Sequence, residues 1–237
     1  MQYIGVDACK RGWFAVSIGT DERYRIGIFE TIADLWSSVK SDVLILIDIP
    51  VGLPDGGKRQ CDVEARRLLQ KRASSVFPVP CREAIYASEY NEACRINQKT
   101  LGVKLSVQTW NIAAKIREVD DLLLRYEKAR PCMRESHPEV CFWALAGGNP
   151  MAHYKKTDGG FAERFKLLKK INPATEKIIN AALKNYPRKY LAKDDIIDAM
   201  ALAVTASAGR DALASIPIHP PCDSMGLPME IVYRNEI

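Results

Sequence analysis

Val43-Leu-Ile-Leu-Ile47 is apolar at every position and stops at Asp48, just ahead of Ile49-Pro50. A strand with one face in water alternates polar and apolar residues, whereas one apolar on both faces is covered by helices on both sides. The run therefore predicts a central strand of an α/β sheet. Ahead of it, residues 2–7 and 13–19 predict adjacent strands joined by a short loop containing Gly12, and residues 25–29 a third. Thr31 is placed to cap a helix with apolar residues at Ile32, Leu35, Trp36 and Val39.

From Lys58 to Arg130 the pattern is mostly helical, broken at Ser74–Cys81 by Pro78 and Pro80. Ile112, Ile116, Val119, Leu123 and Tyr126 are spaced by four and three, a core-facing seam. Glu135-Ser-His-Pro138 reads as a short strand end, and Glu139 opens a helix to about Ala146. Helices from Phe161 and Ala174 precede the helix around Ala192–Val204, and Met229–Tyr233 is a final strand candidate. The expectation is one α/β domain over residues 1–237. It has a mixed five-stranded sheet, helices on both faces and a large helical insertion at about 58–131.

No apolar run approaches the roughly 18 residues that cross a bilayer. The amino terminus enters a strand pattern directly, without a basic-then-apolar leader. Seven scattered cysteines give neither a disulfide framework nor a C-x-x-C zinc pair. A cytoplasmic protein with no membrane partner is expected, and nothing in the pattern specifies an oligomeric state. With 34 basic and 29 acidic residues the net charge is +5, which admits an anionic partner such as nucleic acid without demanding one. The four tryptophans lie in apolar periodic segments and are assigned to the core, and His153 and His219 to the surface.

Chemistry concentrates in acidic residues far apart in sequence. Asp7 ends the first strand and Asp48 the fourth; alone, each is explained by an Asp that starts a turn. Asp195 and Asp198 are three apart, hence on one helical face. Asp194 and Asp195 suit a helix start, where carboxylates accept backbone N–H groups and face a positive dipole end. Asp198 lies a turn deeper among Ile196, Ile197, Ala199, Met200, Leu202 and Val204. A carboxylate buried there requires a cation, a hydrogen-bond partner or a proton. If the first and fourth strands are neighbours, Asp7 and Asp48 point to one sheet edge and the late helix closes the cluster. Oxygen donors with few histidines select Mg²⁺ or Mn²⁺ over zinc.

Around this cluster, Glu139 is either a further ligand or a first-turn helix acid after Pro138, and His137 a phosphate contact or a strand-end hydrogen-bonder. Ser75 and Arg82, in Ser74-Ser-Val-Phe-Pro-Val-Pro-Cys-Arg82, are candidate phosphate contacts, and Phe77 is a base-stacking or a core residue. Lys155 and Lys156 mark a basic loop that is either beside the site or merely solvated.

The constellation resembles the ribonuclease H-like fold, and within it the RuvC-type resolvases. Their first strand carries an Asp, their fourth an acidic residue, and a late helix reads Asp-x-x-Asp-Ala-x-Ala. Asp7, Asp48, Asp195 and Asp198 with Ala199 and Ala201 match these positions, although Asp48 is shorter than the Glu of that branch. Over nearly its whole length the chain is similar to a microbial family of unknown function described as nucleases of this fold. The similarity rests on Ile4-Gly-Val-Asp7, Ile47-Asp-Ile-Pro-Val-Gly-Leu-Pro54, Ser75-Val-Phe-Pro-Val-Pro80, Ser136-His-Pro-Glu139 and Asp195-Ile-Ile-Asp-Ala199. The resemblance implies a two-metal phosphodiester hydrolase with Asp7, Asp48, Asp195, Asp198 and Glu139 at its centre. The alternatives are a non-catalytic nucleic-acid-binding or assembly protein on that scaffold, and a nucleotide-dependent phosphotransferase. Against the last, Ala8-Cys-Lys-Arg11 replaces a Gly-rich hydroxyl turn and no G-x-x-x-x-G-K-[ST] loop is present.

Overall fold

The computed structural model describes residues 1–21, 23–39 and 42–235. Strands β1 (Gln2–Cys9), β2 (Gly12–Gly19), β3 (Tyr24–Phe29), β4 (Val43–Ile47) and β5 (Met133–Glu135) form one sheet in the order β3-β2-β1-β4-β5. The first three are antiparallel neighbours, because Lys10-Arg11 is a two-residue turn between Cys9 and Gly12. β4 pairs parallel with β1 and β5 parallel with β4. A parallel return needs a crossover, and helix α1 (Ile32–Ser38) lies in the first one. Thr31 caps it as expected: its Oγ1 accepts from Asp34 N, and Asp34 Oδ2 accepts from Thr31 N.

All five residues of β4 are buried, and alternate side chains enter different cores. Leu44 and Leu46 pack with Phe14, Val16, helix α6 (Pro138–Leu145) and helix α9 (Lys193–Ala206). Ile45 and Ile47 pack on the other face with Ile116, Val119 and Leu123 of helix α5 (Val107–Arg125). The continuous apolar run is thus the consequence of two covered faces.

Between β4 and β5 the chain is helical, comprising α2 (Gln60–Leu69), α3 (Arg82–Ile85), α4 (Tyr90–Leu101) and α5, with a 3₁₀ segment at Gln70–Ser75. The apolar seam of α5 ends at Leu123. Tyr126 is 43% exposed because the helix stops at Arg125. α7 (Asp158–Ile171) and α8 (Thr175–Asn185) follow α6. The expected final strand lies slightly later, at β7 (Ile231–Arg234), and pairs with β6 (Leu213–Ile216), which sequence reading missed. Trp13 and Trp143 are buried, while Trp36 and Trp110 pack partly exposed against core clusters; His153 and His219 are exposed. Among the described residues no helix is long and apolar enough to cross a membrane.

One glycine sets the spacing of the layers. A Cβ placed on Gly5 would lie 2.1 Å from Ala199 O and 2.2 Å from Ala203 N, both backbone atoms of α9. The helix therefore rests directly on β1. Gly5→Ala is expected to lower the melting temperature by roughly 5–10 °C, since overpacking a core costs about 1–3 kcal/mol and this one opposes rigid backbone. A calorimetric scan that leaves the midpoint unchanged would refute this packing.

Candidate metal centre

The β1–β4 register runs from Gln2 opposite Val43 to Val6 opposite Ile47, and Asp48 N donates to Val6 O at 2.9 Å. The next residue on each strand is acidic, so Asp7 and Asp48 stand side by side. Both lie on the face that carries Gly5 and Leu46, the face covered by α9. Parallel strand carboxyl ends are the usual place for a site in such sheets. Asp198, from the second turn of α9, completes the group. One carboxylate oxygen from each of Asp7, Asp48 and Asp198 lies within 4.8 Å of the others.

Asp198 is fully buried and Asp7 is 9% exposed. Burial pushes the Asp7 carboxyl well above the usual range, and Asp48, Asp198 and Asp195 add repulsion. Asp48 is also raised by burial, with His137 and Lys155 opposing. Burial raises Asp198 to about 6 against the pull of Lys155. Three carboxylates crowded out of water repel one another, and a cation is what relieves them.

Part of that cation is supplied from within. Lys155 Nζ sits 2.6 Å from Asp198 Oδ2, and its acidity is suppressed by Asp198, Asp7 and Asp48 despite burial. Asp198 Oδ1 is buried with no hydrogen-bond partner. An orphaned buried oxygen within an all-oxygen donor set fits a hard divalent ion. The segment bearing Lys155 is latched. Arg72 donates to Met151 O and Ala152 O, Glu163 accepts from Ala152 N and His153 N, and Arg164 donates to His153 O. A Cβ on Gly160 would lie 2.0 Å from Tyr154 O, so α7 can hold this backbone only with glycine there.

The remaining expected residues divide. Asp195 lines the cleft beside the triad, and burial raises it to about 6. Its Oδ2 also accepts from Ala192 N at 2.9 Å, so the helix-start reading holds for it. Glu139 lines the cleft too, but Arg164 Nη2 holds its Oε1 at 2.6 Å. His137 is the N-cap of α6, its Nδ1 accepting from Glu139 N. That leaves the ring proton on Nε2, which faces Ser75 O at 3.3 Å. Ser75 and Lys155 line the same cleft, whereas Lys156 is exposed and lines an adjoining groove. Arg82 corrects the expectation of a phosphate contact. Its guanidinium bridges Asp120 and Asp223 and does not line the cleft. Two buried acceptors outcompete a solvent-facing role.

Sequence reading missed the far wall of the cleft. Asp62 and Glu135 line it, and the buried Arg59 reaches Glu135 at 2.6 Å and Asp62 at 3.6 Å. Burial, opposed by Arg59, raises Glu135 to about 8. Arg72 and Tyr154 were missed as well. The only available signal was the polarity of Glu135 at a strand end, which had no visible partner in sequence.

A five-stranded mixed sheet ordered 3-2-1-4-5 has the topology of the ribonuclease H-like fold, and carboxylates near the end of β1, just after β4 and on a late helix form a candidate metal centre. Residues 5–221 match a family described as protein of unknown function (DUF429), and the chain belongs to that family. No curated protein and no solved structure shows significant similarity to the chain.

The charge crowding has a defined pH signature. Asp198 is raised from 3.8 in the unfolded chain to about 6, so the folded state holds more protons between these values. The stability tied to that proton is full below about pH 4 and is lost as pH rises through about 6, on the order of 3 kcal/mol. In metal-free protein, raising the pH from about 4 to 6.5 is expected to lower the wild-type melting temperature relative to that of Asp198→Asn. Identical pH profiles for the two proteins would contradict the geometry.

Proposed function

We propose that this protein is a metal-dependent nuclease that hydrolyses phosphodiester bonds in nucleic acid by two-metal chemistry. The observation that carries the reading is the triad of buried Asp7 and Asp198 with half-buried Asp48, whose oxygens converge within 4.8 Å beside a cleft of about 400 Å³ that Asp7 and Asp48 line. Asp7, Asp48 and Asp198 would hold one Mg²⁺ or Mn²⁺, and Asp195, on the Asp7 side of the cleft, would join in holding a second. Bound divalent ions lower the pKa of a water and neutralise charge on phosphoryl oxygens. In the hydrolysis a water oxygen bonds to phosphorus, the ester P–O bond breaks, and the departing oxygen takes up a proton.

The chain's own residues support this chemistry. Lys155 neutralises Asp198 until an ion does, and its latched backbone then keeps the ammonium at the cleft for a phosphate. His137 caps α6 by accepting from Glu139 N, and Arg164 balances the Glu139 charge. No side chain is needed as general base, in keeping with a ring whose two nitrogens are already engaged.

Calorimetric titration with Mn²⁺ is expected to show binding to the wild type and at least a tenfold loss in Asp7→Asn, which keeps the size of the side chain but not its charge. The same substitution is expected to abolish cleavage of a labelled oligonucleotide. Full cleavage in excess chelator, or undiminished cleavage by Asp7→Asn, would sink the assignment.

Lys155→Gln separates the two roles given to Lys155. Without metal it removes the partner of Asp198 and should lower the melting temperature by several degrees, because a buried charge left alone is costly. With saturating Mn²⁺ the deficit should shrink, since the ion takes over that charge. A deficit of equal size with and without Mn²⁺ would show that Lys155 serves packing only.

A further inference from the structure

Two depressions meet at the carboxylates and share Ala8, Ile112, Lys155 and Asp195. They differ in chemistry. The cleft of about 400 Å³ carries the apolar side chains Val76, Phe77, Val79 and Ile112 and the hydroxyls of Ser74 and Ser75, beside the Asp62 and Glu135 wall that Arg59 neutralises in part. Tyr154, 57% exposed, stands at its rim with the Arg72 guanidinium 5.9 Å from its ring centroid. Its volume is at the small end for ligand pockets, which run roughly 300–1,000 Å³.

The second depression, about 670 Å³, is an open groove lined by five lysines (10, 115, 155, 156 and 193) and three aspartates (158, 194 and 195). Asp158 and Asp194 lie in the first turns of α7 and α9, where helix N-termini already offset their charge. Lys115 is held by Glu118 at 3.0 Å and lies over the Trp13 ring. Lys10 and Lys156 are exposed and make no ion pair among the described residues. One arm thus suits a single aromatic base and the other a run of phosphates.

We propose, on the reading that the triad is a phosphodiesterase centre, that the substrate is single-stranded nucleic acid. One unpaired nucleoside enters the apolar cleft against Phe77 and Tyr154. The adjoining phosphates follow the lysine groove, and the scissile phosphate lies between the two arms at the carboxylates. A paired base would bring its complement into a space sized for one nucleoside, so a duplex is excluded unless it opens. Unpaired bases stacked on aromatic side chains, with cations along the backbone, are how single strands are generally held.

The test is fluorescence anisotropy with labelled single-stranded DNA and RNA and their blunt duplexes, with Ca²⁺ in place of Mn²⁺ to avoid turnover. At least one kind of single strand is expected to bind tenfold or more tightly than its duplex. Tyr154→Ala should weaken single-strand binding about tenfold, the effect of losing one base–aromatic stack. Lys10→Gln combined with Lys156→Gln should lower the slope of log affinity against log salt by about 1.4. Neither variant touches a metal ligand, so the Mn²⁺ isotherm of each should match the wild type and report a folded protein. Duplex binding as tight as single-strand binding would overturn the proposal. So would wild-type affinity and salt slope in both variants, or no oligonucleotide binding by a protein that still takes up Mn²⁺. Absence of Mn²⁺ heat in the wild type removes instead the phosphodiesterase reading on which the proposal rests.

Discussion

The seating of α9 on β1 governs the rest of the architecture. The helix backbone comes so close to Gly5 that no side chain larger than hydrogen fits between them. From Ile196 to Ala206 every residue of α9 is buried, so its position is fixed by apolar packing around its whole circumference. Asp198 is carried on that rigid body, one turn from Lys193, and has no freedom to move away from Asp7. The strand side is equally fixed, because the parallel register of β1 and β4 sets Asp7 beside Asp48. Backbone hydrogen bonds and core packing thereby hold together three groups that repel one another.

That repulsion explains the surroundings of the triad. Lys155 reaches Asp198 from a segment held by Arg72, Glu163 and Arg164, and Arg164 also pairs with Glu139. The same arginine thus balances a buried carboxylate and anchors the chain that balances another. On the far wall Arg59 does the equivalent for Glu135 and Asp62. Buried charges of this kind persist only with partners, since a lone one costs several kcal/mol. The wall of the cleft is therefore a set of linked ion pairs, and the triad, with Lys155 against three carboxylates, is the group shortest of cations.

Several residues read with two meanings in sequence have the structural role in the fold and also line the cleft. Asp195 caps α9 and lines the cleft, and His137 caps α6 and lines it too. Phe77 belongs to a core cluster and to the cleft wall. Arg82 is the exception, because Asp120 and Asp223 come from α5 and from the segment before β7, and sequence offers no means of pairing them with it.

Local pattern in the sequence was enough for the sheet and its covering helices. The all-apolar β4 required two covered faces, the Thr31 cap started α1, and Asp48 was visible just past the end of an apolar run, whereas β1 continues past Asp7 to Cys9 because it pairs there with β2. Asp198 was recognisable because an acid inside an apolar helix needs a partner. Tertiary structure alone chose that partner, Lys155, 43 residues away. It also produced β6, whose four-residue run has no periodicity to announce it, and the Arg59–Glu135–Asp62 wall. Periodicity reports which face of an element is buried, since each residue's burial depends on its own neighbours in the chain. Pairing between distant charges depends on how whole elements are stacked, and that is decided only when the core closes.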